Sequence, residues 1–179
     1  MSEGLVVVAG GGGFIGGHLV AALHKQWRRV RAVDIEPLDE WYQQISGAEN
    51  IVTDLKDIDR CREVVRGAAE VYQLAADMGG IGFIEHNKAL CMLSVLTNTH
   101  MLLAAKEVGV ERFFFSSSAC VYAAEKQVSE DVVALVEDDA YPAMPEDGYG
   151  WERNVVWLAE HDGRGGGCEG VPISGLKEL

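Results

Sequence analysis

The residues with the clearest chemical potential lie near the start of the chain, where Gly10-Gly11-Gly12-Gly13 is followed by Phe14-Ile15-Gly16. Glycines in a turn let a phosphate approach the backbone more closely than side chains would allow. A helix starting there, with Phe14 and Ile15 in its first turn, adds unpaired N–H groups and a partial positive charge. The run fits G-x-x-G-x-x-G through Gly10, Gly13 and Gly16, and G-x-G-x-x-G through Gly11, Gly13 and Gly16. Spacing alone is a weak signal, because four glycines satisfy several registers. Asp34, about 20 residues on, is the type of residue that accepts hydrogen bonds from an adenosine ribose and repels a 2′-phosphate, so the pattern favours NAD over NADP. The alternative for Asp34 is a turn aspartate closing a strand.

Further along, Ser116-Ser117-Ser118 brings hydroxyls to a place where a strand should end, either to meet a ligand or to cap nearby backbone. Tyr149 stands four residues before Arg153, so both would project from one face of a helix. A fixed cation beside a phenol lowers its pKa and suits it to general-base work; a core tyrosine with a surface arginine is the plainer reading. Cys120 offers a thiol that is either a nucleophile or base, or a small buried hydrophobe.

The elements that would position these groups are legible as alternating patterns. Leu5 to Ala9 is a wholly apolar, β-branched run bounded by glycines, as expected of a strand buried on both faces. The apolar spacing of Phe14, Ile15, Leu19, Val20 and Leu23 is helical. Strands are predicted at Val30 to Asp34, Asn50 to Val52, Glu70 to Ala75 and Arg112 to Ser116. Helices are predicted around Ile58 to Val65, from His86 to Val108 and from Tyr149 to His161. Strands alternating with helices predict an α/β fold, a Rossmann-type doubly wound parallel sheet with helices on both faces. One domain is expected over 1–162, including a long polar connection from Ala123 to Asp147. A glycine-rich irregular tail is expected over 163–179.

A formal net charge of -13 repels phosphate backbones and anionic membranes, and the densest basic cluster, Lys25, Arg28, Arg29 and Arg31, is interrupted. No nucleic-acid or membrane partner is expected. The four cysteines, Cys61, Cys91, Cys120 and Cys168, are widely spaced and without clustered histidines, so neither a metal site nor a disulfide framework is expected; a cytoplasmic location fits.

Gly10-x-x-Gly13-x-x-Gly16, Asp34, Asp54-Leu55, Leu74-Ala75-Ala76, Ser116 to Tyr122 and Tyr149 together resemble the extended short-chain dehydrogenase/reductases, the nucleotide-sugar epimerase/dehydratase group. The longer stretches Ala75 to Ile84, Ser117 to Cys120 and Tyr141 to Gly150 are similar to its GDP-mannose 3,5-epimerase branch. The resemblance implies bound NAD, with Asp54 and Leu55 flanking the adenine, Ala75 and Ala76 lining the cofactor, and Tyr149 and Arg153 completing its site. It implies a GDP-mannose-like nucleotide sugar held by Gly79, Gly80, Ser118, Ala119 and Cys120. Tyr149 and Ser118 would act at the sugar O4, and Cys120 would exchange protons at C3 and C5. It also implies a homodimer paired through helices 86–108 and 149–161. Arg153 replaces the family's lysine, Ser94 stands where the family has a helical asparagine, and family members are much longer than 179 residues. Little turnover is therefore expected from this chain alone. The competing expectations are a catalytically silent NAD-binding or dimerisation module, and a relative of the nucleotide-sugar 4-epimerases or 4,6-dehydratases.

Overall fold

In a computed structural model the described residues are 4–76, 86 and 93–122, and they fall into two compact units. The first comprises residues 4–76 and 96–116, and the second includes 86, 93–95 and 117–122. Tyr149, Arg153, Gly79 and Gly80 lie outside the described residues, as do the connection after Tyr122, the helix expected at 149–161 and the tail.

The first unit is built on a five-stranded, wholly parallel sheet of β1 (Leu5–Ala9), β2 (Val30–Asp34), β3 (Glu49–Val52), β4 (Ala68–Gln73) and β5 (Arg112–Phe115). The strand order is β3-β2-β1-β4-β5. All five residues of β1 are buried, as a central strand covered on both faces requires. Side chains alternate along it. Val7 and Ala9 join one apolar cluster with Leu55, Cys61, Val64, Met101 and Phe113; Val6 and Val8 join another with Val20, Leu23, Ala32 and Trp41.

Three helices supply those clusters: α1 (Phe14–Lys25), α2 (Ile58–Val64) and α3, described over Ser94–Val108. Helix α1 covers the Val6 and Val8 face, and α2 and α3 cover the other. Asp57 caps α2 by accepting from the Asp59 N–H at 2.8 Å. Arg62 of α2 grips Glu107 of α3 through Nε at 2.8 Å and Nη2 at 2.9 Å, and this holds the Glu107 carboxyl below its ordinary range.

The fourth strand departs from expectation, running over Ala68–Gln73 rather than 70–75. Its neighbour β1 stops at Ala9, because Gly10 swings to φ 79° and carries the chain out of the sheet. Leu74 makes one last bond to the Ala9 carbonyl, and beyond it β4 has no central strand to pair with. A short 3-10 turn over Leu38–Glu40, absent from the expectations, brings Trp41 back onto the sheet.

Candidate cofactor site

The glycine turn occupies the carboxyl end of β1. The Gly10 and Gly11 N–H groups both donate to the Val33 carbonyl, at 2.8 and 3.0 Å, and Gly13 N–H donates to the Gly10 carbonyl at 3.2 Å. At two positions a Cβ would come closer than 3.0 Å to backbone. A Cβ on Gly10 would fall 2.9 Å from Ala75 N and the Leu74 carbonyl carbon, besides straining the positive φ. One on Gly16 would collide with the Gly10 carbonyl.

Gly13 is different. It is the N-cap of α1, offers no side chain to the helix N–H groups, and a Cβ there would meet only the Gly10 carbonyl at 3.4 Å. The first turn of α1 contains no acidic residue, so nothing offsets the positive end of the helix dipole. Phe14 and Ile15, 63% and 70% exposed, project outward and leave their backbone to line the turn. Space beside Gly13, in a turn where a Cβ at Gly10, Gly11, Gly12 or Gly16 would be crowded, and helix N–H groups that no side chain caps make a cradle that fits a dinucleotide pyrophosphate.

Asp34 ends β2 against this cradle. Its Oδ2 accepts from Gly12 N–H at 3.0 Å, and its Oδ1 accepts from Ile35 N–H at 2.8 Å and Glu36 N–H at 3.3 Å. It is therefore a turn aspartate and a neighbour of the glycine turn at once; the two readings of the sequence are not exclusive. The segment after it folds over the same glycines. Tyr42 N–H donates to the Gly12 carbonyl at 2.8 Å, Trp41 Nε1 donates to the Glu36 carbonyl at 2.8 Å, and a Cβ on Gly12 would lie 2.8 Å from the Trp41 ring. No spacing rule pointed to Trp41.

The remaining residues named from the sequence are placed as follows. Asp54 is exposed, and its Oδ1 accepts from Lys56 N–H at 2.9 Å. Leu55 is buried in the core, so only its backbone is available to a ligand; its carbonyl accepts from Cys61 Sγ at 3.1 Å. Burial pushes the Cys61 thiol up to about 12, with the Asp57 and Asp54 charges acting in the same direction. Ala75 and Ala76 follow β4, and Ala75 backbone lies beside Gly10. A buried glutamine, Gln73, holds this segment by donating to the Ala75 carbonyl at 3.0 Å and to Asn98 Oδ1 at 2.8 Å. Sequence reasoning passed over it, although a glutamine inside the run Val71-Tyr72-Gln73-Leu74 was a readable signal.

In the second unit, Ala119–Val121 forms a 3-10 turn. Ser118 Oγ accepts from Cys120 N–H at 3.2 Å, and Val121 N–H donates to the Ser118 carbonyl at 3.2 Å. Cys120 is exposed, which overturns the reading of it as a buried hydrophobe. Ser94 opens the described part of α3 and is buried. Among the described residues no cluster of three metal-ligating side chains occurs, and no helix is long and apolar enough to cross a membrane.

A parallel sheet in this order, with a glycine turn at the carboxyl end of β1 opening a helix and an acid at the end of β2, defines the Rossmann class. Residues 6–156 match the NAD dependent epimerase/dehydratase family, and the chain belongs to that family. GDP-mannose 3,5-epimerase 1 of Oryza sativa subsp. japonica is 40% identical over 149 residues, 83% of this chain and 39% of that protein. GDP-mannose 3,5-epimerase of Arabidopsis thaliana is 38% identical over 154 residues, 85% of this chain and 41% of that one. A short-chain dehydrogenase/reductase superfamily protein from Agrobacterium tumefaciens, solved with bound NAD, aligns with a TM-score of 0.71 and 30% identity, covering 93% of this chain and 47% of the other. The chain thus spans about two fifths of the length of the curated relatives it matches.

Proposed function

We propose that this chain binds NAD on the Gly10–Gly16 turn and is the cofactor-binding part of a nucleotide-sugar epimerase of the GDP-mannose 3,5-epimerase type. The observation that carries the reading is the open cradle at Gly13 with Asp34 fastened to Gly12 beside it. Gly10, Gly13, Gly16 and the N–H groups of Phe14 and Ile15 would receive the pyrophosphate. Asp34 would face the ribose, and the backbone of Ala75 and Ala76 would line the cleft. When bound, NAD supplies a hydride acceptor for C4 of the sugar. Tyr149, with Arg153 near it, would take the O4 proton, Ser118 would orient that oxygen, and the exposed Cys120 would move the protons at C3 and C5. Free thiols at Cys61 and Cys120 suit the cytoplasm.

The substrate would be a GDP-mannose-like nucleotide sugar, with helices 86–108 and 149–161 pairing two copies. Because the relatives extend far beyond the matched region, a silent NAD-binding module is the second reading for the 179 residues alone. Arg153 supports it, since a guanidinium fork does not reproduce the shape of an ammonium. A misplacement of about 1 Å can cost on the order of 100-fold in rate.

Titration of the chain with NAD and NADP is the first test. NAD should bind more tightly and Asp34→Ala should narrow the difference; equal affinities in the wild type would remove the role given to Asp34. Solvent deuterium entering GDP-mannose at C3 and C5 is the second. Little exchange is expected from the wild type, and exchange gained with Arg153→Lys would identify Arg153 as the dominant lesion. Robust wild-type exchange would exclude the silent module.

A further inference from the structure

Gln73 and Asn98 are 1% and 0% exposed, in the middle of an otherwise apolar layer between β4 and α3. Two residues before Gln73 on the same face of the strand is Val71, and three after Asn98 on the helix is Met101; both belong to the apolar cluster. Burying two amides there is a poor route to stability. A buried polar atom without a partner costs about 1–3 kcal/mol, and Gln73 Oε1 has no hydrogen-bond partner among the described residues. Apolar side chains of similar size would fill the same space without that cost.

What an apolar side chain would not do is hold the Ala75 carbonyl. The single Gln73 Nε2 group donates both to that carbonyl, at 3.0 Å, and to Asn98 Oδ1, at 2.8 Å. Ala75 follows the end of β4, where sheet hydrogen bonds no longer constrain the chain, and its N–H lies against Gly10. We infer that Gln73 and Asn98 form a positioning latch. Helix α3 fixes the Gln73 amide, the amide fixes the Leu74–Ala76 segment, and that segment holds one wall of the glycine turn. The latch rests on the NAD-binding reading for its purpose, though not for its geometry.

Amide hydrogen exchange on the full chain, read beside NAD titration, tests this in the wild type, Gln73→Met and Gln73→Met/Asn98→Leu. Methionine keeps the length of glutamine but donates nothing, and the double variant also removes the Asn98 Oδ1 to which Gln73 donates. Exchange at Leu74–Ala76 and Gly10–Gly13 should quicken about tenfold in both variants while Val6–Ala9 keeps its protection. NAD should bind about 5- to 10-fold more weakly, as expected for one lost hydrogen bond. Unchanged exchange at Leu74–Ala76 in the double variant would overturn the latch, and so would faster exchange with NAD affinity intact. If the wild type binds no NAD yet the variants show the localised exchange, the latch stands and the cofactor reading falls.

Discussion

At the amino edge of the sheet, Glu70 is buried between two arginines, accepting from Arg28 at 3.0 Å and facing Arg112 at 3.4 Å, while Arg31 pairs with Glu49 at 2.8 Å. At the carboxyl edge the one comparable carboxylate, Asp34, has no ion-pair partner among the described residues and is met by three backbone N–H groups instead. The same parallel strands end in both places. One edge is closed, its charges matched to one another and its strands cross-linked. The other is held by backbone contacts through Gly10, Gly12 and Ala75, and its spare donors, at the start of α1, are left for a ligand. On the proposed reading, stability and binding fall at opposite ends of one sheet.

The comparison breaks if the two ends prove interchangeable under mutation. Glu70→Leu should have the largest effect on folding, about 3 kcal/mol, because it strands the half-buried Arg28 guanidinium. A urea-unfolding midpoint would measure it, and NAD affinity should stay within about twofold, since the site is at the far end of the strands. A large loss of NAD affinity would contradict the division. Adding Arg28→Met to Glu70→Leu should restore most of the loss.

Gly16→Ala should do the opposite. Its Cβ meets the Gly10 carbonyl, so the turn must open, and NAD binding should weaken on the order of 100-fold, about 2.7 kcal/mol. Isothermal titration would read this directly, and near-normal binding would show that the cradle lies elsewhere.

The smallest effect sharpens the picture of the dry layer between the edges. The Cys61 thiol is raised to about 12 from an unfolded value near 8.5, so the folded state holds its proton more tightly. Its contribution is fully present below about pH 8.5 and is lost as the pH rises towards 12; by pH 9.5 the loss should be about 1 kcal/mol. Urea midpoints at pH 7.5 and 9.5 should differ by that amount in the wild type and by less in Cys61→Ala. An equal drop in both would place the alkaline weakness elsewhere, for instance at Tyr72, whose phenol burial also raises.

Much of the scaffold was legible because its signals are local. The β-branched run Leu5 to Ala9, the helical spacing after Gly13 and the termination of β2 at Asp34 are properties of neighbouring residues, and the observed elements coincide with them. Gly10, Gly13, Gly16 and Asp34 could be named as candidate site residues for the same reason. The end of β4 could not be read, because it is set by where β1 leaves the sheet. Cys120 was ambiguous, because exposure is not encoded in a single residue type.

Composition and spacing by themselves determined an alternating α/β chain with a phosphate-sized glycine turn and an acid about 20 residues beyond it. Only the tertiary structure decided which glycines leave no room for a Cβ, that Asp34 is fastened to Gly12, that Trp41 folds over the same turn, and that Gln73 reaches Asn98. The Asp34–Gly12, Gln73–Asn98 and Trp41–Gly12 contacts join residues 22, 25 and 29 positions apart, and the Arg28–Glu70 pair spans 42. Periodicity reports which face a residue occupies, but not what stands opposite it; that is set when the strands align and the helices pack across them.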